Sequence, residues 1–139
     1  MAKTIRATFR ITSWDEKPYD EEDGLMLTRA SVTKTYLGEI QGVATLDYLL
    51  VYRPDGSAYF VGVEHVQGDF AGRSGSFVLL HHGTFDEGVS KIDLMVAQGS
   101  GTGDLAGLRG KGQLEAGQEE DFPLELDYEF EEEEAREGE

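Results

Sequence analysis

The feature that most limits what this chain can become is strict alternation of apolar and polar residues. Ile5, Ala7, Phe9 and Ile11 alternate with Arg6, Thr8, Arg10 and Thr12 near the start. Leu124, Leu126, Tyr128 and Phe130 alternate with Glu125, Asp127 and Glu129 near the end. Successive side chains of a strand point to opposite faces, so a period of two predicts strands with one buried face. Between these two segments, β-branched and aromatic runs are broken by turn residues roughly every ten to fifteen positions. No stretch carries a convincing amphipathic helix of three turns. The expectation is all-β: eight antiparallel strands closed into a barrel, which leaves no open sheet edge.

The strands are expected at Ile5–Ile11, Leu25–Leu37, Ile40–Arg53, Ser57–Phe70, Arg73–Phe85, Val89–Ala97, Gly112–Glu115 and Leu124–Phe130. Trp14 to Gly24 (WDEKPYDEEDG) is polar and contains a proline. It reads as a long loop, suited to a lid, with Trp14, Pro18 and Tyr19 placed to cap the barrel mouth. The Gly-rich run from Gly99 to Gly110 reads as an irregular excursion with one helical turn at Asp104–Leu108. Residues 1–130 are expected to form one domain. Residues 131–139 form an acidic tail expected to be disordered, because it has nothing to bury.

Composition narrows the function classes. With no cysteine in 139 residues, disulfides, thiolate metal sites and cysteine nucleophiles are excluded. The net charge of −16 argues against nucleic acid, whose phosphates require clustered Lys and Arg. No apolar leader or membrane-length run is present, so no membrane partner and a cytoplasmic location are expected. His81 and His82 are consecutive and point to opposite faces, and His65 has no acidic neighbour at ligand spacing, so no metal is expected. Ser74 and Ser76 lack a hydrolase elbow. GSGTG at Gly99–Gly103 lacks the lysine and following helix of a phosphate loop.

The segments SWDEKPYDEEDG, LTRASVTKTYLG, YLLVYRPDGSAYFVGVEHVQG, GRSGSFVLLHHGTF and GSGTGDLAGLRGKG span Ser13 to Gly112. In these motifs the chain resembles the bacterial domain of unknown function 3224. That family is similar in fold to the allene oxide cyclase and dirigent proteins of plants. The resemblance implies an eight-stranded barrel with an axial cavity, often oligomeric, in relatives that steer reactive small molecules without metal or organic cofactor. It implies no cofactor here and assigns no activity.

Hairpin turns fix register, and register decides which side chains share a face. A three-residue turn at Pro54–Gly56 pairs Leu50 with Phe60 and Leu46 with Glu64. A two-residue turn at Ala71–Gly72 pairs Glu64 with Leu79 and Gly62 with His81. A two-residue turn at Gly38–Glu39 pairs Ser31 with Leu46 and Arg29 with Tyr48. One face then carries Arg29, Ser31, Tyr48, Phe60, Glu64, Phe77 and His81 among leucines, the mixture expected of a pocket. The other carries Ala30, Val32, Lys34, Leu49, Tyr59, Val61 and Val63. With the first face inside, the second is an apolar outer wall that points to a homo-oligomer, whereas the opposite assignment gives a dry Val-rich core, a polar exterior and no pocket.

On this register Glu64 and His81 are candidate catalytic acid/base residues, and Asp93 is a weaker partner for His81. Arg29, Ser31, Tyr48, Phe60 and Phe77 are candidate ligand-binding residues, with Arg29 suited to an anionic or carbonyl oxygen. The competing structural role for Glu64 is a buried ion pair with Arg29. Three functions remain: a barrel that binds a small aromatic or anionic molecule, a cofactor-independent isomerase or cyclase using Glu64 and His81, and an interaction protein without a ligand.

Overall fold

The computed structural model of the chain describes residues 3–131, all in strands, turns and their connections. The expected disordered tail falls almost wholly outside these residues. Nine strands run in chain order: β1 (Lys3–Glu22), β2 (Leu25–Gly38), β3 (Ile40–Tyr52), β4 (Ala58–Phe70), β5 (Arg73–Asp86), β6 (Val89–Val96), β7 (Thr102–Gly103), β8 (Leu108–Ala116) and β9 (Asp121–Phe130). β1 pairs with both β2 and β9, and β4 pairs with β5, so the antiparallel sheet closes on itself through eight strands. β7 is a two-residue addition beside β5, at Gly75 and Ser76.

Alternation does what it predicted at both ends of the chain. Ile5, Ala7 and Phe9 are buried opposite Leu126, Leu124 and Phe122, with Arg6 and Arg10 outside and paired to Glu125 and Asp121. The glycine-rich excursion contains no helix. Leu105 N–H reaches Thr102 O and Ala106 N–H reaches Gly103 O in successive turns, and these bury Leu105 in the core.

WDEKPYDEEDG is not a loop. β1 continues through it and pairs with β2 as far as Glu22 opposite Leu25, turning at Asp23 and Gly24, both in the left-handed region. The start of β2 needs a hydrogen-bonding partner, and the polar segment supplies one while remaining largely solvated, which is why it lacks the alternation of a barrel wall. Two register shifts, at Ile11/Ser13 and Pro18/Asp20, absorb the irregular sequence. The first inserts Thr12 as a bulge and reverses the parity of β1. Before it, odd residues face in. After it, Trp14 and Glu16 lie opposite the buried Val32 and Ala30.

The β3–β4 and β4–β5 registers are those the turns predict: Leu46 opposite Glu64, Gly62 opposite His81. The β2–β3 register differs by one residue. Val32, not Ser31, faces Leu46, and Ala30, not Arg29, faces Tyr48. The connection is longer than a two-residue turn because Glu39 is built into the barrel end. Its N–H donates to Arg6 O, its C=O accepts from Ala71 N–H, and its carboxylate accepts from Arg6 N–H. One residue of slip exchanges every side chain of β2 between faces. Ala30, Val32, Lys34 and Tyr36 are therefore inside, and Arg29 and Ser31 outside.

The outer wall of β3 to β6 exposes Leu49, Val61, Val63 and Met95, with Leu49 beside Val61. Inside, the two ends of the barrel differ. One end is filled by Phe70, which packs edge-on against Phe77 and Tyr128 at 5.4 and 4.9 Å between centroids. Removing so large a buried ring costs about 3–5 kcal/mol. Phe70→Ala is expected to lower the unfolding free energy in urea by about that amount. A loss under about 1 kcal/mol would show that this end is not close-packed.

Candidate functional site

Glu64, on β4, is fully buried. A carboxylate without water must find donors within the protein or take up a proton. It finds three. Lys34 Nζ lies 3.2 Å and His81 Nε2 2.6 Å from Oε1, and the Tyr36 hydroxyl donates to Oε2 at 2.5 Å. Beyond His81, Nδ1 lies 3.0 Å from the Tyr48 hydroxyl. Strands β2, β3, β4 and β5 thus contribute to one continuous buried chain of polar groups. Among the described residues, no buried side-chain polar atom lacks a hydrogen-bond partner.

The partners assign the protons. Burial acts to raise the Glu64 pKa, but the Lys34 charge and the His81 and Tyr36 hydrogen bonds outweigh it and bring it to about 2. Burial also pulls Lys34 and His81 below their ordinary values, against the opposing pull of Glu64. Tyr36 and Tyr48 are held as phenols, first by burial and then by the nearby Glu64 charge. At neutral pH, Glu64 is an anion, Lys34 its cation and His81 neutral. His81 donates from Nε2 to Glu64 and accepts at Nδ1 from Tyr48, and the set carries no net charge.

A cavity of about 90 Å³ opens beside this chain, toward the end away from Phe70. Phe9, Trp14, Tyr48, Phe60 and Phe122 give it aromatic walls, and Lys34 reaches it among Val32, Leu46 and Ile92. Lys34 Nζ lies over the Phe9 ring, 4.1 Å from its centre. Trp14, half-exposed at the mouth, packs on Tyr48 at 5.9 Å between centroids. Its indole N–H donates to Glu16, whose other oxygen accepts from Thr28 and Tyr52 at 2.7 Å each. That carboxylate fixes the rim. Two glycines set the position of the rings. A Cβ at Gly62 would lie 2.5 Å from the Tyr48 ring, and one at Gly83 would lie 2.6 Å from Phe60.

The expected site residues separate into three groups. Glu64, His81 and Tyr48 are brought together, and Phe60 joins Tyr48 in the cavity wall. Phe77 is buried at the filled end, against Phe70. Arg29 and Ser31 are corrected to the outer surface, where both reach Asp47, because of the β2 slip. The ion pair of Glu64 is with Lys34 rather than Arg29. Asp93 also faces out, opposite His82 and bonded by Gln113, because the β5–β6 turn is the two residues Glu87–Gly88. Sequence reasoning missed Lys34 and Tyr36. Their signal was the alternation Ala30, Val32, Lys34, Tyr36, in which two small apolar residues lead into two amphipathic ones.

The family described as a protein of unknown function (DUF3224) matches residues 5–128, which takes in every strand that lines the site. The chain belongs to the DUF3224 family. Among solved structures, it is similar to a DUF3224 protein of unknown function from Shewanella oneidensis MR-1. The two share 27% identity with a TM-score of 0.76, over 94% of this chain and 98% of that one. No curated protein matches. Membership in DUF3224 accounts for the closed barrel and leaves the chemistry of the cavity to be argued from its residues.

Two outcomes follow from this geometry. Gly62→Ala is expected to displace the Tyr48 ring, costing about 1–3 kcal/mol and breaking its bond to His81. The His81 ring resonances in an NMR spectrum should shift, and unchanged resonances would contradict the contact. The second outcome concerns pH. Glu64 and His81 both have folded pKa values below their ordinary 4.5 and 6.5, so the unfolded chain binds more protons in acid. The stability they contribute is complete above about pH 6.5, declines as His81 titrates, and is lost as pH falls from 4.5 toward 2. Glu64→Gln strands the buried Lys34 charge, at a cost of about 3–5 kcal/mol at pH 7. It should also flatten the loss of Tm between about pH 5 and 3. A wild-type slope in that variant would mean that Glu64 is not the buried anion.

Proposed function

We propose that this protein binds a small, neutral, partly aromatic molecule in the cavity beside Tyr48 and Lys34. The observation that carries the reading is the meeting of a fully satisfied, electrically neutral polar chain with a cavity walled by aromatic rings. Binding sites are mostly apolar with a few placed polar groups, and this cavity has that composition. Lys34 supplies N–H donors. The Tyr48 hydroxyl commits its proton to His81 and so offers an oxygen to the ligand. Because Glu64 already balances Lys34, an anionic ligand would add an uncompensated charge, and a neutral one is favoured. The volume of about 90 Å³ is well below that of a drug-sized pocket and fits a small ring or short chain.

A proton-transfer role for Glu64 and His81 has weaker support. Neither residue lines the cavity, and Glu64 holds its negative charge too firmly to act as a base near neutral pH. Any proton that Glu64 or His81 exchanged with a ligand would pass through Lys34 or Tyr48.

Trp14 is the only tryptophan of the chain and sits at the cavity mouth, so its emission reports occupancy directly. Titration with phenol or benzyl alcohol is expected to change that emission saturably. Tyr48→Phe should weaken the binding by about tenfold, the worth of one hydrogen bond of about 1–1.5 kcal/mol. Benzoate should bind more weakly than benzyl alcohol. A linear, non-saturating response to all of these probes would rule the cavity out as a binding site.

A further inference from the structure

We propose that Lys34 is a covalent capture site for a small aldehyde or ketone, with Glu64 as the retained counter-ion of the iminium formed. The inference rests on the cavity reading above and adds a chemistry to it. Lys34 is the one buried lysine of five: Lys3, Lys17, Lys91 and Lys111 are exposed, and all belong to the described residues. Its amine reaches an aromatic cavity that Trp14, half-exposed, borders at the mouth. Glu64 Oε1 stands 3.2 Å from the nitrogen and is also held by His81, while Tyr36 holds Oε2.

The condensation balances with solvent as the proton carrier. Solvent at the cavity mouth takes one proton from the Lys34 ammonium, and the free amine attacks the carbonyl carbon, forming a C–N bond. A second nitrogen proton moves to the former carbonyl oxygen to give a carbinolamine. Solvent then returns a proton to that hydroxyl, the C–O bond breaks, and water leaves. The nitrogen lone pair forms the C=N bond. Lys34 begins as a cation and ends as an iminium cation, so the ion pair with Glu64 survives and no net charge is created in the interior. A buried lysine lacking a carboxylate would gain no such balance. Desolvation favours the free amine that the attack requires, and the aromatic walls shield the iminium from hydrolysis.

The test uses the whole chain with benzaldehyde and sodium cyanoborohydride at pH 7, read by intact mass and peptide mapping. The expected result is one benzyl group on Lys34, added at least about tenfold faster than on any of the four exposed lysines, because burial lowers the Lys34 pKa and frees its amine. Lys34→Arg keeps a cation beside Glu64 and should remain folded by circular dichroism while losing the fast label. Label spread over the exposed lysines with Lys34 spared, or Lys34 reacting no faster than they do, overturns the proposal. Trp14 emission with benzyl alcohol, which has no carbonyl, separates the two readings. Saturable quenching without Lys34 labelling defeats covalent capture and leaves the binding site standing, whereas failure of both defeats both.

Discussion

A carboxylate with no access to water governs this barrel. Glu64 stays ionised only because Lys34, Tyr36 and His81 converge on its two oxygens. Those donors come from β2 and β5, which are not neighbours in the sheet. The contacts from β2 therefore reach over β3 and depend on the inward curvature of the sheet. Backbone pairing specifies which strands are adjacent, and the Glu64 cluster ties together the inner faces of strands that are not. Breaking one member would leave charge stranded in an apolar medium, so the cluster favours a single arrangement of the interior even where its net contribution to stability is small.

The rest of the interior divides around that cluster. At one end Phe70, Phe77 and Tyr128 fill the lumen; at the other, aromatic rings stand apart and leave the cavity. Glycine makes the second arrangement possible. Gly62 and Gly83 let Tyr48 and Phe60 lie close against the opposing backbone, where a side chain would push them inward. Close packing at the first end keeps the fold rigid, so that the second can hold space without collapsing. Close packing and open space thus belong to different halves of one sheet.

Much of this was legible in the sequence. Alternation located the strands, the turns at Pro54–Gly56 and Ala71–Gly72 gave the true registers of β3, β4 and β5, and Glu64, His81, Tyr48 and Phe60 followed. Two features were not legible because they depend on contacts distant in sequence. Gly38–Glu39 looks like an ordinary tight turn, yet Glu39 is held by Arg6 and Ala71, and the resulting slip hid Lys34 and Tyr36 while bringing Arg29 and Ser31 falsely inside. The polar run after Trp14 looks like a loop because strands that project past the core need not alternate. Only the demand of β2 for a partner shows that it is a strand.

The bulge at Thr12 has a consequence for how such a chain can vary. Upstream of it β1 is a wall of the core, and downstream the same strand is the rim that carries Trp14 and Glu16. What matters there is the number of residues more than their kind. Paired without the bulge, the same residues would set Trp14 opposite Ser31 and Glu16 opposite Arg29, on the outer face. One extra residue in the strand therefore turns the indole and its carboxylate toward the cavity, with no change in any residue of the interior.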